Sequence, residues 1–223
     1  MIRKIFLSPF FALTVFLILG LGFIGVVFFQ YHQDILRLTI DGEIIDVVAK
    51  LGYILLLFVL AYVYRDFEDK MLAWGIYIFL TMCCFLRESG IQHHLSTTDS
   101  TPFKSRFFLD PDNPWFEKVI FGSILLLIVG GLGYLAVKFS KKLVLQFFAM
   151  DTITWSTAVL CTAGVCSKII DRFPSNYRKA HEGVALPENV YTILQLVEET
   201  SEMFLPYLAI LILFQHHVIK AQQ

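Results

Sequence analysis

From Ile5 to Phe29 the chain carries no charged side chain, an uninterrupted apolar run behind the basic pair Arg3-Lys4. A helix needs about 20 apolar residues to cross roughly 30 Å of hydrocarbon, so this run is long enough to span a bilayer. A secretory leader would have an apolar core of about 7–15 residues closed by small side chains. This run is longer and exits at Gln30-Tyr31-His32, which predicts a retained span.

Five further stretches satisfy the same length rule. The spans are expected at about 5–29, 44–64, 71–90, 117–138, 143–172 and 189–216. Apolar residues make up 57% of the 223 and charged ones 17%, against about 45–50% and 25% in soluble domains, so a water-soluble core is excluded. A net charge of −1 leaves no basic footprint for a nucleic-acid partner. The fold class is therefore all-α: a polytopic six-transmembrane-helix bundle, read as a single integral membrane domain over 1–223. No internal repeat or heptad run interrupts it.

Local signals mark some borders. Asn113-Pro114-Trp115 reads as a cap, a first-turn proline and an interfacial aromatic, with Glu117 following. Pro174 is expected to close the fifth helix. With a cytoplasmic N-terminus, Arg3, Lys4, Arg65, Lys70, Lys138, Lys141, Lys142 and Lys220 fall on the cytoplasmic side in short connections. The other ten basic residues spread over longer loops. Density and the weight of the first span favour both termini inside, and the terse loops suit a bacterial inner membrane.

Several ionisable residues lie where hydrocarbon is expected. Arg87 and Glu88 arrive before the third span is long enough to leave the bilayer. Counting back from His216 puts Glu198, Glu199 and Glu202 within its outer half, and with Gln195 they share an arc of about 100° on one helix face. Glu43, Asp46 and Lys50 repeat the pattern at the second span's outer end, and Lys168, Asp171 and Arg172 close the fifth. A charge facing lipid at mid-bilayer costs at least about 2.5–3.5 kcal/mol, so these groups are expected to turn inward. Pro206 removes the hydrogen bond to the carbonyl of Glu202. Asp151 heads a stripe of small residues, Thr154, Ala158 and Thr162, read as helix-packing positions. Gly130-Gly131-Leu132-Gly133 reads the same way.

His93 and His94 follow Glu88 and could join carboxylates around zinc or iron. Neither H-x-x-x-H nor E-x-x-H occurs, which excludes the metalloprotease and ferritin-like templates. Cys83, Cys84, Cys161 and Cys166 fall in spans without a C-x-x-C pair and read as small apolar residues. The segment 101–108 alternates basic and aromatic residues, either to meet lipid phosphates or to fold over the bundle.

These readings converge on a polar cavity open to the outer leaflet, lined by the third, fifth and sixth spans and roofed by residues 93–117. Its expected ligand is a membrane lipid, through a polar or phosphate-bearing headgroup. Arg87, Lys104, Arg106, Lys168 and Arg172 would hold the anion. Glu88, Glu198, Glu199 and Glu202 would serve as acid/base groups. His93, His94, Glu199 and Glu202 would bind a divalent metal, the cofactor of a lipid hydrolase or transferase. Two other readings stay open: a non-catalytic subunit or assembly factor docking a membrane partner or a second copy, and a small carrier or ion pathway.

Overall fold

The computed structural model describes residues 2–30, 44–64, 67, 70–91, 96, 103 and 105–221, and among them every regular element is helical. In chain order these are α1 (Ile2–Phe6), α2 (Phe11–Gln30), α3 (Ile44–Tyr62), α4 (Met71–Glu88), α5 (Ser105–Leu109), α6 (Trp115–Phe148), α7 (Thr152–Ala180) and α8 (Glu188–Lys220). Six of them, all but α1 and α5, are long and apolar enough to cross a membrane. The reason is the lack of water in hydrocarbon: a helix satisfies its own backbone N–H and C=O groups, whereas a loop or open strand does not. Glu43, His93, His94 and Lys104 lie outside the described residues, and of Arg106 only the backbone, in α5, is described.

The chain divides into two compact units, Met1–Val63 with Gln146–Gln223, and Tyr64–Leu145. In the first unit α8 is the central helix, packing against α7, α3 and α2. It runs antiparallel to α7, because Ser156 meets Gln215 while Ser167 meets Glu202. It runs parallel to α3, since Gly52 lies against Pro206 and Tyr207 while the ring of Tyr62 lies 5.6 Å from that of His217. Two apolar clusters fill the interior. One joins Val27, Ile45, Ala49, Leu196 and Met203, and the other Ala12, Ala163 and Leu208.

At the end holding the chain's start, hydrogen bonds close the unit. Ser156 Oγ donates to Gln215 Oε1 (2.7 Å), and Gln215 Nε2 donates to the carbonyl of Phe6 (2.9 Å). Thr152 Oγ1 donates to the carbonyl of Leu7. Carbonyls at and just past the end of a helix need donors from elsewhere, and α7 and α8 supply one each to Leu7 and Phe6. Ser156 and Gln215 are fully buried. The buried small residues of α7 are thus Thr152, Thr154, Ser156, Ala163 and Ser167; of the expected stripe Thr154 is buried, Ala158 partly buried and Thr162 exposed.

Borders differ from the sequence expectation in two places. α6 continues through Lys138–Lys142 to Phe148, and only then does the chain turn. Met150 adopts φ 57°, with Asp151 N–H bonded to Gln146 O (3.0 Å) and Met150 N–H to Phe147 O (3.2 Å). That is a Schellman closure with methionine where glycine is usual. Asp151 then caps α7, accepting from Thr154 N–H and Thr154 Oγ1, both at 2.9 Å. Further on, α7 runs through Pro174 to Ala180 instead of ending there. The proline removes one intrahelical bond, to the carbonyl of Ile170, without stopping the helix.

In the second unit α5 and its flanks fold onto the start of α6. Phe107, fully buried, and Phe103 both pack edge-on against Phe121 at 5.4 Å. Asn113 donates Nδ2 to the carbonyl of Phe107 (2.8 Å). Glu117 is buried and accepts from Ser96 Oγ (3.0 Å). Of the glycines in α6, Gly131 faces Ile76 of α4, while Gly130 and Gly133 face open space.

The contact between α3 and α8 rests on Gly52, where a Cβ would come within 2.7 Å of Pro206 Cγ and 2.8 Å of Tyr207 Cε2. Tyr207 is itself held by a hydrogen bond from its hydroxyl to Val48 O (2.9 Å). A Gly52→Ala variant is expected to lose about 1–3 kcal/mol by overpacking, read as a lower Tm of the detergent-solubilised protein. Gly130→Ala, entering open space, is expected to keep or raise the Tm, since alanine favours helix over glycine by about 1 kcal/mol.

Candidate functional site

Two polar arrangements lie along the α7–α8 pair. The deeper one centres on Glu202, whose side chain is only 11% exposed. Ser167, fully buried on the facing turn of α7, donates Oγ to Glu202 Oε1 (2.7 Å). Lys168 places Nζ at 2.5 Å from the same oxygen and at 3.6 Å from Asp171 Oδ2. The antiparallel register brings these groups together, and Glu202 meets there the opposite charge and the hydroxyl that a carboxylate below the lipid boundary requires.

One turn further out the two helices part around a cavity of about 390 Å³. From α7 come Asp171, Pro174, Ser175 and Arg178, and from α8 Tyr191, Leu194, Gln195, Glu198 and Glu199. Both sets follow the i, i+3, i+4, i+7 spacing of a single helix face. Three carboxylates and one guanidinium line it, and Asp171 also meets Lys168 at 3.6 Å.

Helix length sets the depth of the cavity. About twenty residues of α7 counted from Thr152 reach Asp171, and about twenty of α8 counted back from His216 reach Val197. Both counts put the hydrocarbon border at the inner edge of the cavity, with Glu202 below it and Arg178 and Tyr191 some 10 Å beyond. The headgroup layer of one leaflet is about 5–8 Å thick, so on this count the cavity extends through it.

The sequence-predicted residues therefore separate. Glu198 and Glu199 line the cavity, whereas Glu202 belongs to the ion pair beneath it. Lys168, expected to hold an anion, is engaged by Glu202. Arg172 is exposed and is not among the cavity's lining. Arg87 and Glu88 end α4 in the second unit. Asp46 pairs with Lys50 one turn along α3 (2.6 Å). Among the described residues no three His, Cys, Asp or Glu side chains come together as a metal would need. The four cysteines are free thiols. Ser175 and Arg178 went unread in the sequence because they lie past Pro174, and Tyr191 because an uncharged residue inside the last expected span carries no mark. Their shared helical spacing with Asp171 and Glu198 was the available signal.

No protein-family model, no curated protein and no solved structure matches this chain.

Removing the carboxylate strands a buried hydroxyl and a partly buried ammonium together. Glu202→Ala is expected to destabilise the protein by about 1–3 kcal/mol. Lys168→Gln should cost less, because Lys168 is 43% exposed and a wetter charge gains less from its partner. Thermal unfolding of the two variants in one detergent checks the order.

Proposed function

We propose that this protein binds a zwitterionic, amine-bearing lipid headgroup in the cavity between α7 and α8. The observation that carries the reading is the cavity's lining, with Asp171, Glu198 and Glu199 beside Arg178, and the residue count that sets it near the headgroups supports it. An excess of carboxylates disfavours a purely anionic headgroup and suits an ammonium, which donates charge-assisted hydrogen bonds to carboxylate oxygens. Arg178 offers a planar guanidinium for the accompanying phosphate. Ile170, Leu194 and the ring of Tyr191 supply apolar wall for the glycerol end of the lipid. Glu202 acts as a positioning residue: with Lys168 and Ser167 it fixes the register of the two walls. On this reading the hairpin end faces the outer leaflet and the basic ends at Arg3-Lys4 and Lys220 face the cytoplasm, as the positive-inside rule directs.

A second reading, a non-catalytic subunit of a membrane complex, is favoured by the closed Ser167–Glu202–Lys168 set. It requires no ligand in the cavity.

Titration of the detergent-solubilised protein with short-chain phosphatidylethanolamine, phosphatidylcholine and phosphatidylglycerol separates the two, with thermal stabilisation as the readout. The ethanolamine lipid should bind best, since its ammonium keeps the N–H donors that choline lacks. Glu198→Gln/Glu199→Gln is expected to weaken it by about tenfold, equivalent to about 1.4 kcal/mol. Arg178→Gln should weaken the ethanolamine and choline lipids alike. Equal binding of all three lipids, or unchanged binding in the variants, overturns the headgroup reading and leaves the subunit.

A further inference from the structure

A different surface lies in the second unit, on the last turns of α6 before Gln146. The helix crosses about 30 Å between Trp115 and Tyr134, an aromatic residue at each border of one hydrocarbon thickness. It does not end there. Lys138, Lys141 and Lys142 follow, and at 100° per residue they share an arc of about 100° with Leu145. All three lysines are exposed. Lys138 Nζ is bonded to Tyr134 Oη (2.7 Å) and lies 5.1 Å from the centre of the Tyr134 ring. Beside this basic stripe Val137 is 81% exposed, Val144 57% and Leu145 73%.

Charge and apolarity are thus interleaved on one exposed helix face, just past the point where the span has used up the hydrocarbon. The sequence contains no Asp or Glu from Lys118 to Met150, so no acid on this helix neutralises the lysines. A protein partner could bury the valines, and water could solvate the lysines. The leaflet boundary satisfies both at once, because lysine stems lie along acyl chains while their ammonium groups reach phosphate.

We propose that α6 from Tyr134 to Lys142 is a docking surface for anionic phospholipids of one leaflet, separate from the α7–α8 cavity. Tyr134 and Val137 lie at the acyl border, Lys138 reaches the headgroups, and Lys141 and Lys142, about 10–12 Å past Tyr134, collect their negative charge from outside. The surface selects lipid by net charge, whereas the cavity selects by an ammonium.

The test is native mass spectrometry of the intact protein released from micelles doped with equal phosphatidylglycerol and phosphatidylcholine. The wild type should retain the glycerol lipid in preference. Lys138→Gln/Lys141→Gln/Lys142→Gln, which keeps good helix formers throughout, should lose at least about fivefold of that preference, the effect of roughly one lysine near an anionic surface. Lys179→Gln, in the first unit, and the Glu198→Gln/Glu199→Gln variant should both retain it. Overturning results are a wild type without preference, a triple variant that keeps it, or full loss of the preference when inorganic phosphate is added. The last outcome would mean a free-anion site.

Discussion

Within hydrocarbon a carboxylate has no water to turn to, and the register of the first unit follows from where Glu202 finds relief. Its oxygen is shared by Ser167 Oγ and Lys168 Nζ, both from α7. Sliding α8 by one turn would leave a charge and a buried hydroxyl without partners, at several kcal/mol. About 20 Å away along the same helix pair, the bonds among Ser156, Gln215 and Phe6 apply the same constraint at the other end. Between these polar fastenings the contacts are apolar and tolerate small shifts. Packing supplies attraction, and the buried hydrogen bonds set position.

That division of roles extends to α3. Gly52 lets Pro206 and Tyr207 approach its backbone closely, and the Tyr207 hydroxyl reaches the carbonyl of Val48. Pro206 costs α8 one internal hydrogen bond, yet its ring fills the space that Gly52 leaves. A helix with neighbours on three sides and two polar fastenings is a rigid wall. The cavity beyond Glu202 is framed by the continuation of that wall, so Glu198 and Glu199 are presented from a fixed backbone. Preorganised carboxylates bind an ammonium with less ordering cost than mobile ones.

How much could be read beforehand differs residue by residue. The depth of Glu202 followed from counting residues, but its partner did not, since Lys168 and Arg172 were both within reach until the rotation of α7 was known. Asp151 looked like the head of a packing stripe because no glycine or proline precedes it. The turn is made instead by Met150 in a left-handed conformation, a position at which sequence rules look for glycine. Pro174 read as a stop, whereas α7 passes through it to carry Arg178 to the cavity wall. Gln215, beside the His216 from which depth was counted, is the buried link between α1 and α8.

The sequence by itself determined that this chain forms six helices long and apolar enough to cross a bilayer, because predominantly apolar runs of about 20 residues match the thickness of the hydrocarbon. It also set some acids within the length of those helices, since helix rise converts residue number into distance along the axis. Only the tertiary structure decided which acids meet Lys168 and which line an open space. That choice depends on the rotation and register of two helices, quantities set by contacts far apart along the chain. Glu202 and Glu199 lie less than one turn apart on α8, and one faces a lysine while the other borders a cavity.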